Sequence, residues 1–295
     1  MDKIRLITDS ACDIPEEAEK NLDIRILPIP ITIGTKGYYE RESFTVDEFY
    51  DIVEKEETLP ATSHILSITY QDEYEKAFAE QFDHVIVVTI YSGASNMNAA
   101  AHQAADVFFE EHPEARGKMT IDVIDSKTFS AGYGYPLMEA DRKIKEGASY
   151  EDVLAYLNDT FSKMEIYFCP FTLKYVKKSG RVSCAAAFVG ELLGLRPVIS
   201  MTGGPSKALS KVRGNAAANA AILEIVKKRL AKGQPYLVLR AKTTQYPEEL
   251  AKQLEEAVGY PPVGIFKIGA SVTINAGPDV AGVAFWGDGW EADAE

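Results

Sequence analysis

At 295 residues, 46% hydrophobic and 25% charged, with glycine and proline spread along its length, the chain is long enough to bury two ordinary cores, and its composition excludes a disordered protein. Its 44 acidic against 31 basic side chains leave a formal charge of −13, which repels phosphate backbones and sets nucleic acid aside as a partner. Apolar runs such as Val85-Ile86-Val87-Val88 are too short to span a bilayer, and Met1 leads into Asp2-Lys3-Ile4-Arg5 without an apolar segment, so a cytoplasmic protein with no stable membrane insertion is expected.

In chain order, Ile4 to Thr8 predicts a short strand ending in Asp9-Ser10, and Asp13-Ile14-Pro15-Glu16-Glu17 a helix start with Asp13 as cap and a proline in the first turn. Ile24 to Ile33 reads as extended, Thr45 to Glu54 as a helix, His84 to Ile90 as a buried strand and Asn96 to Phe109 as an Ala-rich helix. Met119 to Ile124 is a further strand closed by Asp125-Ser126. The glycine-broken stretch Ser130 to Gly134, a helix through Ile144 and another from Glu151 to Lys163 follow. Strands alternating with helices imply a mainly parallel sheet covered on both faces, with ligands at the strands' carboxyl ends, where Asp9, Ser92 and Asp125 fall.

Beyond this the pattern loosens. It predicts a strand near Tyr167, a basic turn at Lys177-Lys178-Ser179-Gly180-Arg181, an apolar helix from Ala185 to Leu193, a helix from Asn215 to Lys232 and a strand from Tyr236 to Arg240. A helix from Pro247 to Val258 and a hairpin-like pair of strands, Val263 to Ile268 and Val280 to Trp286, close the chain. The fold class is therefore α/β, with two α/β domains. Residues 1–162 form an N-terminal domain with a mainly parallel sheet, and residues 163–295 a C-terminal domain with a mixed one.

Four polar segments could carry chemistry. Pro60-Ala61-Thr62-Ser63-His64 reads equally as an N-cap and as hydroxyls placed to receive an anion. Tyr91-Ser92-Gly93-Ala94-Ser95-Asn96 follows the strongest strand and opens a helix whose unpaired N–H groups suit a carboxylate or phosphate, although it is neither a dinucleotide fingerprint nor a Walker loop. The lysines of the third, Val176 to Ser183, read as a solvated face or as contacts for an anion or acidic partner. Ser271 to Asp279 reads as a strand end and tight turn. Catalytic and metal-binding sets are missing: no GxSxG elbow, no paired ligand spacing among His64, His84, His102 and His112, and no CxxC among Cys12, Cys169 and Cys184. No catalytic residue, metal or cofactor is expected, and the histidines read as surface or packing residues.

Taken in order, the segments resemble the DegV family of bacterial fatty-acid-binding proteins over essentially the whole chain. Ile7-Thr8-Asp9-Ser10 with Asp13-Ile14-Pro15 is similar to its opening TDSxxDLP. Pro60 to His64 stands at its P-x-TSQPS, Tyr91 to Asn96 at its SSxxSGT, and Asp125-Ser126 with Gly132-Tyr133-Gly134 at its DSxxxSxGxG. Leu173 to Ser183 is similar to LxYLxKxGRIS and Leu192 to Val198 to LLxIKPV. The resemblance implies a carrier protein with a tunnel between the domains. A long-chain fatty acid would lie in it, its carboxylate held by Thr62, Ser63 and Ser92 with Ser95 and Asn275 nearby and its tail against Phe188 and Leu192. It further implies delivery to a separate fatty acid kinase, for which Lys177, Lys178, Arg181 and Arg213 are docking candidates. The chain departs from the pattern at Asn275, where an HxGPG turn has histidine, and at His64-Ile65-Leu66, which replaces Gln-Pro-Ser. Two rival readings are a lipid hydrolase using Ser63 or Ser92 and a lipid sensor that never delivers its ligand.

Overall fold

The structure, a computed structural model, describes residues 2–187 and 194–289. Its first half runs β1 (Ile4–Asp9), α1 (Glu16–Glu19), β2 (Ile24–Leu27), β3 (Pro30–Ile33), β4 (Lys36–Tyr39), α2 (Val46–Lys55), β5 (Ala61–Thr62) and α3 (Ser67–Ala79). It continues with β6 (His84–Thr89), α4 (Met97–Glu111), β7 (Thr120–Asp125), α5 (Ala131–Lys145) and α6 (Tyr150–Lys163). The second half runs β8 (Met164–Pro170), α7 (Lys174–Ser179), β9 (Leu195–Ser200), β10 (Lys207–Arg213), α8 (Asn215–Arg229), β11 (Tyr236–Arg240), α9 (Gln245–Val258), β12 (Ile265–Lys267), α10 (Ala270–Ala276) and β13 (Val280–Trp286). No helix among the described residues is long and apolar enough to cross a membrane.

The first sheet has the order β2-β1-β6-β7 and is parallel throughout. Its central strands are apolar on both faces because both are covered. Leu6, Ile86 and Val88 pack under Tyr133, Leu137, Val153 and Leu157 of α5 and α6. Ile7, Val85 and Val87 pack under Tyr70 and Tyr74 of α3 and Ala101, Ala104 and Phe108 of α4. Small alanines let α4 approach closely, which is why that helix is Ala-rich. A small antiparallel sheet, β4-β3-β5, was not signalled by the sequence, because its strands are only two to four residues long.

The second sheet has the order β10-β9-β8-β13-β11-β12, antiparallel except for the β11–β12 pair. One face, with Tyr167, Cys169, Val238 and Val283, buries Ile222 and Val226 of α8 and Leu250 and Leu254 of α9. The other, with Ile166, Phe168, Leu239 and Val280, looks toward the first half.

Several expectations are corrected. Asp13 does not cap a helix: it ends a 3-10 turn at Ser10–Cys12 in the left-handed region (φ 52°), and α1 is one turn starting after Pro15. Its carboxylate turns inward because buried donors await it there. Gly132 and Gly134 do not break α5 but lie inside it, and a β-carbon on residue 134 would sit 2.0 Å from the Cys12 carbonyl oxygen, so glycine is there for close approach. The basic stretch is the last turn of α7, closed by left-handed Gly180. The start of the expected Ala185–Leu193 helix is a 3-10 turn at Ser183–Ala187, and the rest lies outside the described residues. The closing strands are not a hairpin: β11 lies between β12 and β13, and Ser271 to Ala276 is helix α10.

Candidate ligand-binding site

A cavity of about 730 Å³ opens between the halves, within the range of roughly 300–1,000 Å³ common for small-molecule sites. Its inner wall is the free face of the second sheet: Ile166 and Phe168 of β8, Leu239 of β11, Val280 of β13, with Ile268 and Met201, all buried. Its outer rim is polar, and much of it is exposed: Thr62 at the end of β5 with Ser63 and His64 after it, Ser92 to Asn96 between β6 and α4, Asn275 on α10, and Arg181 after α7. No aspartate or glutamate is found among the described lining residues, in a chain with 44 of them. The cavity is therefore built for an apolar body with an uncharged or anionic end.

Each polar group is held by a specific contact. Thr62 pairs with Ile31 in β5, and the Ser63 N–H donates to the Pro30 carbonyl at 2.9 Å. Neither residue caps α3, which starts at Ser67 without a side-chain cap, so the N-cap reading of Thr62-Ser63 fails. Ser92 is locked by Asp125 at the end of the neighbouring strand: its N–H donates to Oδ1 at 3.0 Å and its hydroxyl to Oδ2 at 2.5 Å. With that proton committed, Ser92 shapes the turn and offers an incoming anion no hydroxyl donor. Among the described residues none accepts from the Ser63, Thr62 or Ser95 hydroxyl; the Ser95 oxygen accepts from the Met97 N–H at 3.4 Å, leaving its O–H to point elsewhere. Asn275 Nδ2 donates to the Ser271 carbonyl at 2.8 Å, which uses one of its two protons.

The structure thus brings Thr62, Ser63, Ser92, Ser95, Asn275 and Arg181 to one cavity. Lys177, Lys178 and Arg213 are exposed and off it. Phe188 and Leu192 lie outside the described residues. Sequence reasoning missed His64 as a lining residue. It also missed the buried carboxylates behind the wall, whose only signal was the acidic opening segment itself. Asp9 accepts from the Ala11 N–H at 3.2 Å, the Tyr133 hydroxyl at 2.6 Å and the Ile90 N–H at 2.9 Å. Asp13 accepts from the Ser130 hydroxyl and from the Gly269 N–H at 2.8 Å. Glu40 accepts from Ser10 Oγ at 2.6 Å and from Ser271 N and Oγ at 2.8 and 2.6 Å. Ile90, Ser130 and Ser271 line the cavity, so the three acids fix its walls from behind.

Burial pushes the Asp9 carboxyl up from 3.8 to about 6, the Tyr133 hydrogen bond opposing, and burial with the neighbouring Glu40 charge pushes Asp13 well above the usual range. For an acid raised in the folded state, stability is fully present below 3.8 and lost as pH rises through about 6, a change of roughly 3 kcal/mol for Asp9. Denaturation midpoints should therefore show wild type gaining on Asp9→Asn by that order between pH 7 and pH 4. Parallel pH curves would remove Asp9 as the titrating group.

Comparison with known proteins supplies the context. The DegV family model matches residues 3–288. A DegV domain-containing protein of Caldanaerobacter subterraneus is 28% identical, covering 97% of this chain and 99% of its own. Among solved structures, a fatty-acid-binding DegV family protein from Thermus thermophilus superposes with a TM-score of 0.84 at 27% identity, covering 97% of this chain and 99% of its own. A stearic-acid-binding protein from Eubacterium ventriosum gives 0.85 at 25% identity, covering 96% and 97%. With the family model matched from Lys3 to Asp288 and both halves of the fold shared, the chain belongs to the DegV family.

Proposed function

We propose that this protein binds one long-chain fatty acid without transforming it, the tail against the second sheet and the carboxylate at the rim. The carrying observation is the cavity lining: buried hydrocarbon inside, hydroxyls with uncommitted protons outside, and no acidic side chain among the described residues to repel the head. A carboxylate only accepts hydrogen bonds, which suits hydroxyls and the N–H groups at the start of α4. Each methylene buried contributes about 0.8 kcal/mol, so a long tail outweighs the desolvation of the head. Binding by the Thermus thermophilus and Eubacterium ventriosum relatives supports the same reading.

Against the hydrolase alternative, Ser92 donates to a carboxylate and not to an imidazole, so it is not part of a Ser-His pair. Native mass spectrometry of protein purified from cells is expected to show a stoichiometric, noncovalent fatty acid. Covalent labelling of Ser63 or Ser92 by a fluorophosphonate would favour the hydrolase instead. Ser63→Ala and Ser95→Ala should each lower acid affinity by about tenfold, the worth of one hydrogen bond to a charged group, with unfolding unchanged. If displacement of a fluorescent fatty acid shows equal affinities, the carboxylate is not held there.

In this reading the chain acts as two units, residues 1–162 supplying the head-group loops and 163–295 the apolar wall. The loaded protein is then presented to a separate fatty acid kinase, with Lys177, Arg181 and Arg213 as the docking charges. A kinase from the same organism should phosphorylate the bound acid, and an acid left unmodified favours a sensor.

A further inference from the structure

We propose that His64 is a head-group residue of this site, which binds the acid as an ion pair between a carboxylate and an imidazolium formed on loading. The inference rests on the fatty-acid reading above and adds the charge state of the bound pair and the residue that sets it.

His64 lines the cavity in the turn that also carries Thr62 and Ser63, and Ile65, buried at 3%, anchors that turn so that the imidazole stays at the rim. No ring nitrogen of His64 carries a hydrogen bond or ion pair to a described residue, whereas His84 and His112 are both engaged, by Thr120 and by Glu75 and Glu114. An unengaged imidazole on a ligand wall has its donor and acceptor positions open to what enters. Asn275 lines the same cavity and supplies an amide where the motif it resembles has histidine, so the two departures from that pattern, at positions 64 and 275, both fall on its lining.

The charged groups near the His64 rim leave it no anionic partner until a ligand enters. Arg181, after α7, lines the same cavity, a cation that opposes a second positive charge there. Behind the Ser92 turn lies Asp125, occupied by Ser92 and by the Lys127 N–H. Behind Ser130 and Ser271 lie Asp13 and Glu40, occupied by their own donors, and the first turn of α3 carries no acid. With no acidic side chain among the described lining residues, the bound carboxylate becomes the nearest unshared negative charge. An imidazole titrates near neutrality, and a carboxylate within a few ångströms stabilises its charged form. On loading, the ring takes a proton from solvent and donates an N–H to a carboxylate oxygen. The site then prefers an acid to a neutral alcohol or amide of equal length.

The test is an NMR titration of the imidazole C–H signals of the delipidated full chain, free and loaded with palmitate labelled at its carboxyl carbon. His64 is assigned by its absence in His64→Gln. The expected result is a midpoint for His64 raised by about one pH unit or more in the loaded protein, the other three histidines unmoved. His64→Gln should still bind palmitate, and its affinity should lose pH dependence between pH 6 and 8. His64→Gln with Asn275→His should regain it. A His64 midpoint unchanged by palmitate that is demonstrably bound overturns the inference and leaves the fatty-acid reading standing. A palmitate carboxyl signal that stays at its free position with wild type overturns both.

Discussion

Val272→Trp is expected to abolish fatty-acid binding while the protein still folds. Val272 sits on α10, half-buried, packed against both the first-half and the second-half cores, and lines the cavity. In a close-packed interior such a swap would cost about 1–3 kcal/mol through overpacking, but here the added ring has about 730 Å³ of void to enter. The tail is what it displaces. Losing the burial of about five methylenes forfeits about 4 kcal/mol, close to a thousandfold in affinity. Thermal unfolding should stay near wild type while the copurifying acid disappears from native mass spectra. A variant that keeps its acid at full stoichiometry would show that the tail lies elsewhere.

Glu40→Ala should be among the most damaging single changes, at about 3 kcal/mol of stability. Glu40 is 1% exposed, and its carboxylate satisfies the Ser10 hydroxyl and both the N–H and hydroxyl of Ser271, which stands 231 positions along the chain from it. Alanine leaves these buried donors without an acceptor, each worth about 1–3 kcal/mol. Relief of the repulsion between Glu40 and Asp13 offsets part of that cost. The hydroxyls are able to rotate to other acceptors, but the Ser271 N–H is fixed by the helix, so the loss wins. Because α10 also carries Val272 and Asn275, acid affinity should fall with stability. Glu40→Gln, which keeps a carbonyl acceptor, should be milder in both readouts. Denaturation of Glu40→Ala at the wild-type midpoint would show that α10 is not held by this contact.

The first sheet was legible because its strands, covered on both faces, appear as unbroken apolar runs between helices. α10 was not: Val272-Thr273-Ile274 is β-branched and reads as strand. Its helical state is set by Gly269 and Gly277 at its ends and by Glu40 taking the Ser271 N–H, a partner in a distant part of the chain. Thr62, Ser63, Ser92, Ser95 and Asn275 were found through motif likeness, since a serine in a turn has no pattern of its own. The commitment of the Ser92 proton to Asp125 depends on two adjacent parallel strands ending level, which only the register reveals.

The place of β13 has a consequence for synthesis. The last described strand to leave the ribosome is not at an edge of its sheet but in the middle, pairing with β8 on one side and β11 on the other. Apart from Val272 of α10, every residue packed in the two cores of the parallel sheet precedes β8, so that sheet is free to form on the nascent chain. The antiparallel one must wait with its centre open until β13, later than every other described strand, has been made, so the cavity between the halves forms after the first half and as a single event.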